Sequence, residues 1–188
     1  MLRSKRRIRR MCLPGKIISG GQTGVDQGAL DFALNHGIGC GGWCPPNRQC
    51  ETGRIPDIYP LKEVEVDDYD ERTRRNILEA DATLVITARG RKERGTSLTI
   101  KRAEEFSKPY LHMELQELIN PAGEYGRQRE QSELQNFSHP DLAILNRARS
   151  WLSQGSYKIL NVAGNRESTS PGIQKFTVRI LEYLFNMA

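Results

Sequence analysis

The sequence predicts a doubly wound, mostly parallel α/β sheet of about five or more strands with helices on both faces. Three observations carry the prediction. Short apolar or β-branched runs recur along the chain, each followed by a segment whose apolar residues keep helical spacing. The clearest run, Ala82-Thr83-Leu84-Val85-Ile86-Thr87, is rich in β-branched residues and of the kind buried on both faces of a parallel sheet. Three strand ends lead into polar glycine loops, at Gly20–Gly24, Arg89–Thr96 and Gly164–Ser168. In such sheets ligands sit beyond the carboxyl ends of the strands.

Taken in order, Lys16-Ile17-Ile18-Ser19 is the first strand, and Gly20-Gly21-Gln22-Thr23-Gly24 is too glycine-rich to extend it. From Val25, the residues Ala29, Leu30, Ala33 and Leu34 mark the face of a helix that Asn35-His36-Gly37 ends. Strand, glycine turn and helix start together point backbone N–H groups at an anion. Thr23 or Asp26 is the candidate cap. A tight βα connection without a ligand accounts for the same residues. Neither G-x-G-x-x-G nor G-x-x-x-x-G-K-S/T is present, so no standard nucleotide fingerprint is met.

A second strand is expected over residues 38–42. Gly41-Gly42-Trp43-Cys44-Pro45-Pro46 then opens a polar segment from Asn47 to Asp57, closed by Tyr59-Pro60-Leu61. A loop of this length in a compact domain is ordinarily functional or disordered, and its aromatic residues favour an ordered one. Trp43 is either a ring on which a ligand stacks or a plug at the core edge. Residues 70–80 form a helix with a thin apolar face, on which Arg72, Thr73 and Asn76 share one side. After the strand at 82–87, Gly95-Thr96-Ser97 is a second candidate anion seat, opening a helix from Thr96 to Lys108. A strand at Tyr110–Leu115, a polar irregular stretch over 116–140, a helix at Leu142–Ser153 and a strand at Ile159–Ala163 follow. Pro171 suits the first turn of a final helix.

The 188 residues suit a single domain, expected over 15–188, preceded by a disordered basic tail over 1–14. The net charge of +5 belongs to that tail. Six of the 28 basic residues fall within residues 1–10, leaving 22 against 23 acids elsewhere. The tail reads as a dispensable extension, as an arm for nucleic-acid phosphates, or as a targeting segment, although it lacks the apolar core of a secretory signal. No apolar run has the length of a membrane span. Cys12, Cys40, Cys44 and Cys50 form no C-x-x-C pair and have no H-x-x-x-H partner, so they are expected as reduced thiols in a cytoplasmic protein, with no metal site.

GGQTGVDQGALDFAL, GGWCPPNR with IPDIYPL, ERTRRNILEADATLVI, GTSLT and LNVAGNRES…PGI occur here in the order found in the molybdenum-cofactor carrier family. The chain resembles that family from about Lys16 to its end. The family is a branch of the Rossmann-like SLOG superfamily that also holds the lysine-decarboxylase-like, cytokinin-activating proteins. The resemblance implies a ligand-binding site in three parts. Gly20, Gly21, Gln22, Thr23 and Gly24 hold a phosphate or its equivalent, with Asp26 nearby. Gly95, Thr96 and Thr99 form the second side. Asn161, Gly164, Arg166 and Glu167 close the third. To these the residue reading adds Arg72 and Asn76 from their shared helix face, and Trp43 as a ring to stack on.

The expected function is therefore non-catalytic binding or carriage of a phosphorylated heterocycle, either the molybdenum cofactor (molybdopterin) or a nucleotide. The alternative is a nucleoside-monophosphate hydrolase of the lysine-decarboxylase-like type. Those relatives carry P-G-G-x-G-T-x-x-E, in which an acid assists departure of the base. Here Thr99 stands in place of that glutamate and the two preceding glycines are missing. A hydroxyl does not replace a carboxylate at neutral pH. The expected partner is thus a small phosphorylated ligand and neither a membrane nor a nucleic acid; a homo-oligomer formed through helices is a further expectation.

Overall fold

The structure is a computed structural model and describes residues 13–66, 68–91, 93–116 and 139–187, without the side chains of residues 69, 139 and 140. The basic tail up to residue 12 and the polar stretch at 117–138 lie outside the described residues. Five parallel strands form the central sheet: β1 (Lys16–Ile18), β2 (Gly39–Gly41), β7 (Ala82–Ala88), β8 (Tyr110–Leu115) and β9 (Ile159–Gly164). Their order is β2-β1-β9-β7-β8, so the last strand of the chain sits in the middle. In register, Ile17 lies opposite Cys40 on one side and Leu160 on the other, and Leu84 opposite Val162 and Leu111. The fold is a Rossmann-like α/β sandwich.

Helices α1 (Val25–Asn35), α4 (His139–Gly155) and α5 (Ile173–Phe185) pack together on one side, and α2 (Tyr69–Glu79) and α3 (Arg94–Glu105) pair with each other. Connections that run in opposite directions across a parallel sheet place their helices on opposite faces, because each crossover is right-handed. Strand β7 is buried at every residue. That is why its sequence is a continuous run and not an alternating one. Its Leu84 and Ile86 share the main core with Phe32, Leu160, Ile180 and Leu184. Each such side chain contributes about 1.5–3 kcal/mol by leaving water. Asp81 fixes the approach to β9, since one carboxylate oxygen accepts the N–H groups of Lys158 and Ile159 at 2.8 and 2.9 Å.

The segment between β2 and α2 is ordered but is not a plain loop. It contains four two-residue strands, β3 (Trp43–Cys44), β4 (Gln49–Cys50), β5 (Gly53–Arg54) and β6 (Lys62–Glu63). Strand β3 pairs with β6 in parallel, and β4 with β5 as a tiny antiparallel hairpin. Beneath them Leu30, Cys44, Ile55 and Tyr59 make a small separate core. Arg48 organises the excursion: buried, it donates to the carbonyls of Ile55, Pro56 and Tyr59 at 3.2, 2.9 and 2.9 Å. A guanidinium with several donors can hold an irregular excursion that periodicity does not reveal. Helix boundaries also shift. Helix α3 begins at Arg94, two residues before the expected start, and α5 at Ile173, two residues after Pro171. Among the described residues no helix is long and apolar enough to cross a membrane.

Candidate functional site

The glycine turn after β1 folds onto itself. Gly24 (φ 82°) is the N-cap of α1, and its backbone carries no side-chain cap from Thr23 or Asp26. Instead Asp26 Oδ2 accepts the N–H of Gln22 at 3.3 Å, and Gln22 Oε1 accepts those of Thr23 and Glu51 at 3.2 and 2.9 Å. The N–H of Val25 goes to the carbonyl of Asn165 at 3.0 Å. Three donors that would face an anion are therefore held by the protein's own acceptors. Asp26 is 5 % exposed, and burial pushes its carboxyl up in pKa against the pull of the Arg72 guanidinium 3.6 Å away.

Arg72 and Asn76, both on α2, are buried and act within the fold. Arg72 Nη1 donates to the Gly20 carbonyl at 3.2 Å. A Cβ on Gly20 would stand 2.3 Å from that guanidinium, so glycine here lets α2 lie on the turn. Asn76 clasps the backbone of Trp43, accepting its N–H at 2.8 Å and donating to its carbonyl at 2.9 Å. Trp43 itself does not face the glycine turn. Its Nε1 donates to Glu79, which also binds Lys16 at the start of β1, while Arg75 and Lys62 cover the ring at 4.5 and 5.4 Å from its centroid. The ring is thus held by Glu79 and covered by cations from α2 and from Lys62.

The loop after β9 closes against the other two. Asn165, fully buried, accepts the N–H of Ala88 at 2.8 Å and donates to Arg91 O and Glu93 at 3.0 and 3.2 Å. It stitches the end of β9 to the loop that follows β7. Gly164 is held tightly, since a Cβ would stand 1.9 Å from Ile86 O. Glu167 is a helix cap: its carboxylate accepts the N–H groups of Gly172 and Gln174 at 2.5 and 3.0 Å, ahead of α5. Asn161 is also internal, donating to Thr83 at 3.3 Å.

Space opens between these loops. A cavity of about 240 Å³ is lined by Gln22, Pro45, Pro46, Cys50, Glu51 and Arg166, with Asp68 at its edge. A second of about 640 Å³ is lined by Asp68, Asp70, Arg94, Gly95, Leu98 and Arg166. Asp68 and Arg166 belong to both walls, so the two form one cleft across the carboxyl ends of β1, β9 and β7. Of the predicted residues, Gln22, Gly95 and Arg166 line it. Thr99 does not: its hydroxyl donates to the carbonyl of Gly95 one turn back. Thr96 is buried beside the cleft with an unbonded hydroxyl, and neither it nor Gly95 caps α3, whose N-cap is Glu93.

Glu51 and Asp68 are among the lining residues that sequence reasoning missed, while Arg94 and Ser168 lie in loops it named without singling them out. Asp68 caps α2 by accepting the N–H of Asp70 at 2.9 Å, a cap signal visible in the sequence just ahead of the helix. Glu51 gives no such signal, because it sits in the aperiodic excursion. Its carboxylate accepts the hydroxyl of Thr23, and both the N–H and the hydroxyl of Ser168 at 3.1 and 2.5 Å. Partial burial works to raise its pKa, but the bonds from Ser168 and Thr23 together hold it below the usual glutamate value. Among the described residues no group of three His, Cys, Asp or Glu side chains is arranged to hold a metal ion.

Residues 17–185 match the model of the circularly permutated YpsA SLOG family. The chain belongs to that family. Among solved structures, this SLOG chain is similar to the crystal structure named "Putative molybdenum carrier protein" from Syntrophus aciditrophicus SB. The two are 37% identical, with 91% of this chain and 94% of that one covered, and a TM-score of 0.73. No protein among the curated ones matches it.

Proposed function

We propose that the protein binds and carries a phosphorylated heterocycle, of which the molybdenum cofactor and a nucleotide are the two candidate forms. The observation that supports this best is the two-chambered cleft with Arg166 in both walls. The larger chamber has the size of small-molecule sites, about 300–1,000 Å³. Arg166, Arg94 and Lys101 outnumber Asp68 and Asp70 in its wall, and Leu98 and Gly95 add apolar and backbone surface. A ring in the larger chamber and an anionic group reaching Gln22 and Arg166 match that distribution. The name of the similar solved structure points to a molybdenum-bearing cargo. Thr99 hydrogen-bonded to its own helix leaves that position without the acid a base-releasing hydrolase needs.

Native mass spectrometry of protein purified without oxygen tests this directly. A co-purifying phosphorylated heterocycle, or saturable binding of molybdopterin or a nucleoside monophosphate in calorimetry, is the expected result. Arg166→Ala should weaken that binding about tenfold, the size of one lost charge-assisted contact. Folded protein that binds neither ligand class would overturn the proposal.

A further inference from the structure

The Glu51 carboxylate is an anion in a ready-made anion seat. It is carried on the exposed tip of the β4–β5 hairpin, yet it reaches in to join two strand-end loops. One oxygen takes the Thr23 hydroxyl and the Ser168 N–H, and the other takes the Ser168 hydroxyl. Three donors from the loops after β1 and β9 converge on two oxygens about one carboxylate apart. Convergent hydroxyl and backbone donors are also what a phosphoryl group binds. Arg166, in the wall of the adjoining cavity, adds positive charge to the same place.

The hairpin has a firm base and a light tip. Behind it, Arg48 is pinned by the carbonyls of Ile55, Pro56 and Tyr59, and Tyr59 donates to Asp31 at 2.7 Å. At the tip, the backbone hold is the Glu51 N–H on Gln22 Oε1 at 2.9 Å. Gln22 in turn covers the N–H of Thr23 at 3.2 Å. Movement of Glu51 therefore uncovers two hydroxyls, of Thr23 and Ser168, and the Ser168 N–H, beside the smaller cavity whose wall Glu51 forms.

We infer that Glu51 is an internal stand-in for the ligand's phosphoryl group, and that ligand binding exchanges the phosphoryl group for Glu51 on Thr23 and Ser168 while the Gln49–Arg54 hairpin swings out. This rests on the reading of the cleft as a site for a phosphorylated ligand. It adds a gate to that site, with like charge as the lock: the seat takes either the carboxylate or the phosphoryl group, because two anions sharing three donors repel.

The test is binding of inorganic phosphate and of inorganic pyrophosphate to wild type and to Glu51→Gln, by calorimetry at one ionic strength. Glu51→Gln keeps the side chain's shape and removes its charge, so phosphate should bind at least about tenfold more tightly than to wild type, as expected when a charge-assisted contact need no longer be displaced. In wild-type protein labelled with ¹⁵N, pyrophosphate should shift the amide signals of Ser168 and of Gln49–Arg54 together. This second readout needs no variant and so survives any folding defect in Glu51→Gln. Equal phosphate affinity in wild type and Glu51→Gln, or a Ser168 shift without a hairpin shift, overturns the gate while leaving the cleft as a binding site. Absence of binding by phosphate, pyrophosphate, nucleoside monophosphate and molybdopterin to both folded proteins overturns the cleft reading and the gate with it.

Discussion

Two of the strand–loop–helix junctions on this cleft, those after β1 and β7, are built on opposite plans. At the β1–α1 junction, glycines allow close approach, and the space gained is filled by the protein: Arg72 lies on Gly20, the Asn165–Glu167 backbone lies on Gly24, and Asp26, Gln22 and Asn165 take up the backbone donors. At the β7–α3 junction, Arg94, Ser97 and Lys101 are exposed around the larger cavity, and the Thr96 hydroxyl is buried without a bond. The difference teaches that a glycine-rich turn is a statement about proximity and not about what comes near. The same lack of Cβ serves a phosphate or a neighbouring backbone equally well.

The comparison breaks most easily at Gly24. A Cβ there would stand 2.4 Å from Asn165 O and 2.6 Å from Glu167 N, both backbone atoms that cannot turn aside, and φ of 82° adds strain of its own. Gly24→Ala should cost about 3 kcal/mol or more, the combined scale of backbone strain and overpacking. A urea midpoint within error of wild type would show that the β9 loop yields. Asn165→Ala comes next. It strands the buried Ala88 N–H and removes the tie to the Arg91 carbonyl, with an expected loss of about 1–3 kcal/mol in the same assay. Asn165→Asp keeps the first bond but sets a carboxylate beside Glu93, so it should not rescue.

The open junction should answer differently. Arg94 and Lys101 line the larger cavity and are exposed or partly so. Replacing both with alanine should move stability by no more than about 0.5 kcal/mol, the usual range for surface positions. The same double variant should weaken binding of a nucleoside monophosphate about three- to tenfold and flatten its salt dependence. A large stability loss with unchanged affinity would make the open junction structural and the contrast false.

How far the sequence could be read follows from the same distinction. The five main strands and their helices were legible because each has its own period: β7 is a buried run, and Ile17, Leu84 and Leu160 fall in registers that any parallel sheet would require. The glycine loops were legible as loops. What was not legible is which of their neighbours would fill them, since Arg72 is 52 residues from Gly20 and Asn165 is 77 from Ala88. Trp43 illustrates the limit. Its aromatic character was plain, but the cations that cover it belong to α2 and β6, and no spacing connects them. Glu51 was hidden for a related reason, because the excursion that carries it is held by Arg48 and not by a repeating pattern.

Thr96 offers the smallest and sharpest test. Its neighbours Gly95 and Ser97 form the cavity wall, whereas its own hydroxyl has neither solvent contact nor a hydrogen-bond partner. A buried unbonded hydroxyl costs desolvation with no return. Thr96→Val keeps the shape and removes the polar atom, so the ligand-free protein should gain about 0.5–1.5 kcal/mol in urea unfolding. Affinity for a nucleoside monophosphate should not change, because the ligand would meet Ser97 and Gly95 and not this atom. A fall in affinity of tenfold, with stability raised as expected, would mean that the hydroxyl turns toward the ligand when one is bound. The open junction would then be pre-strained for its cargo, in contrast to the filled junction beside it.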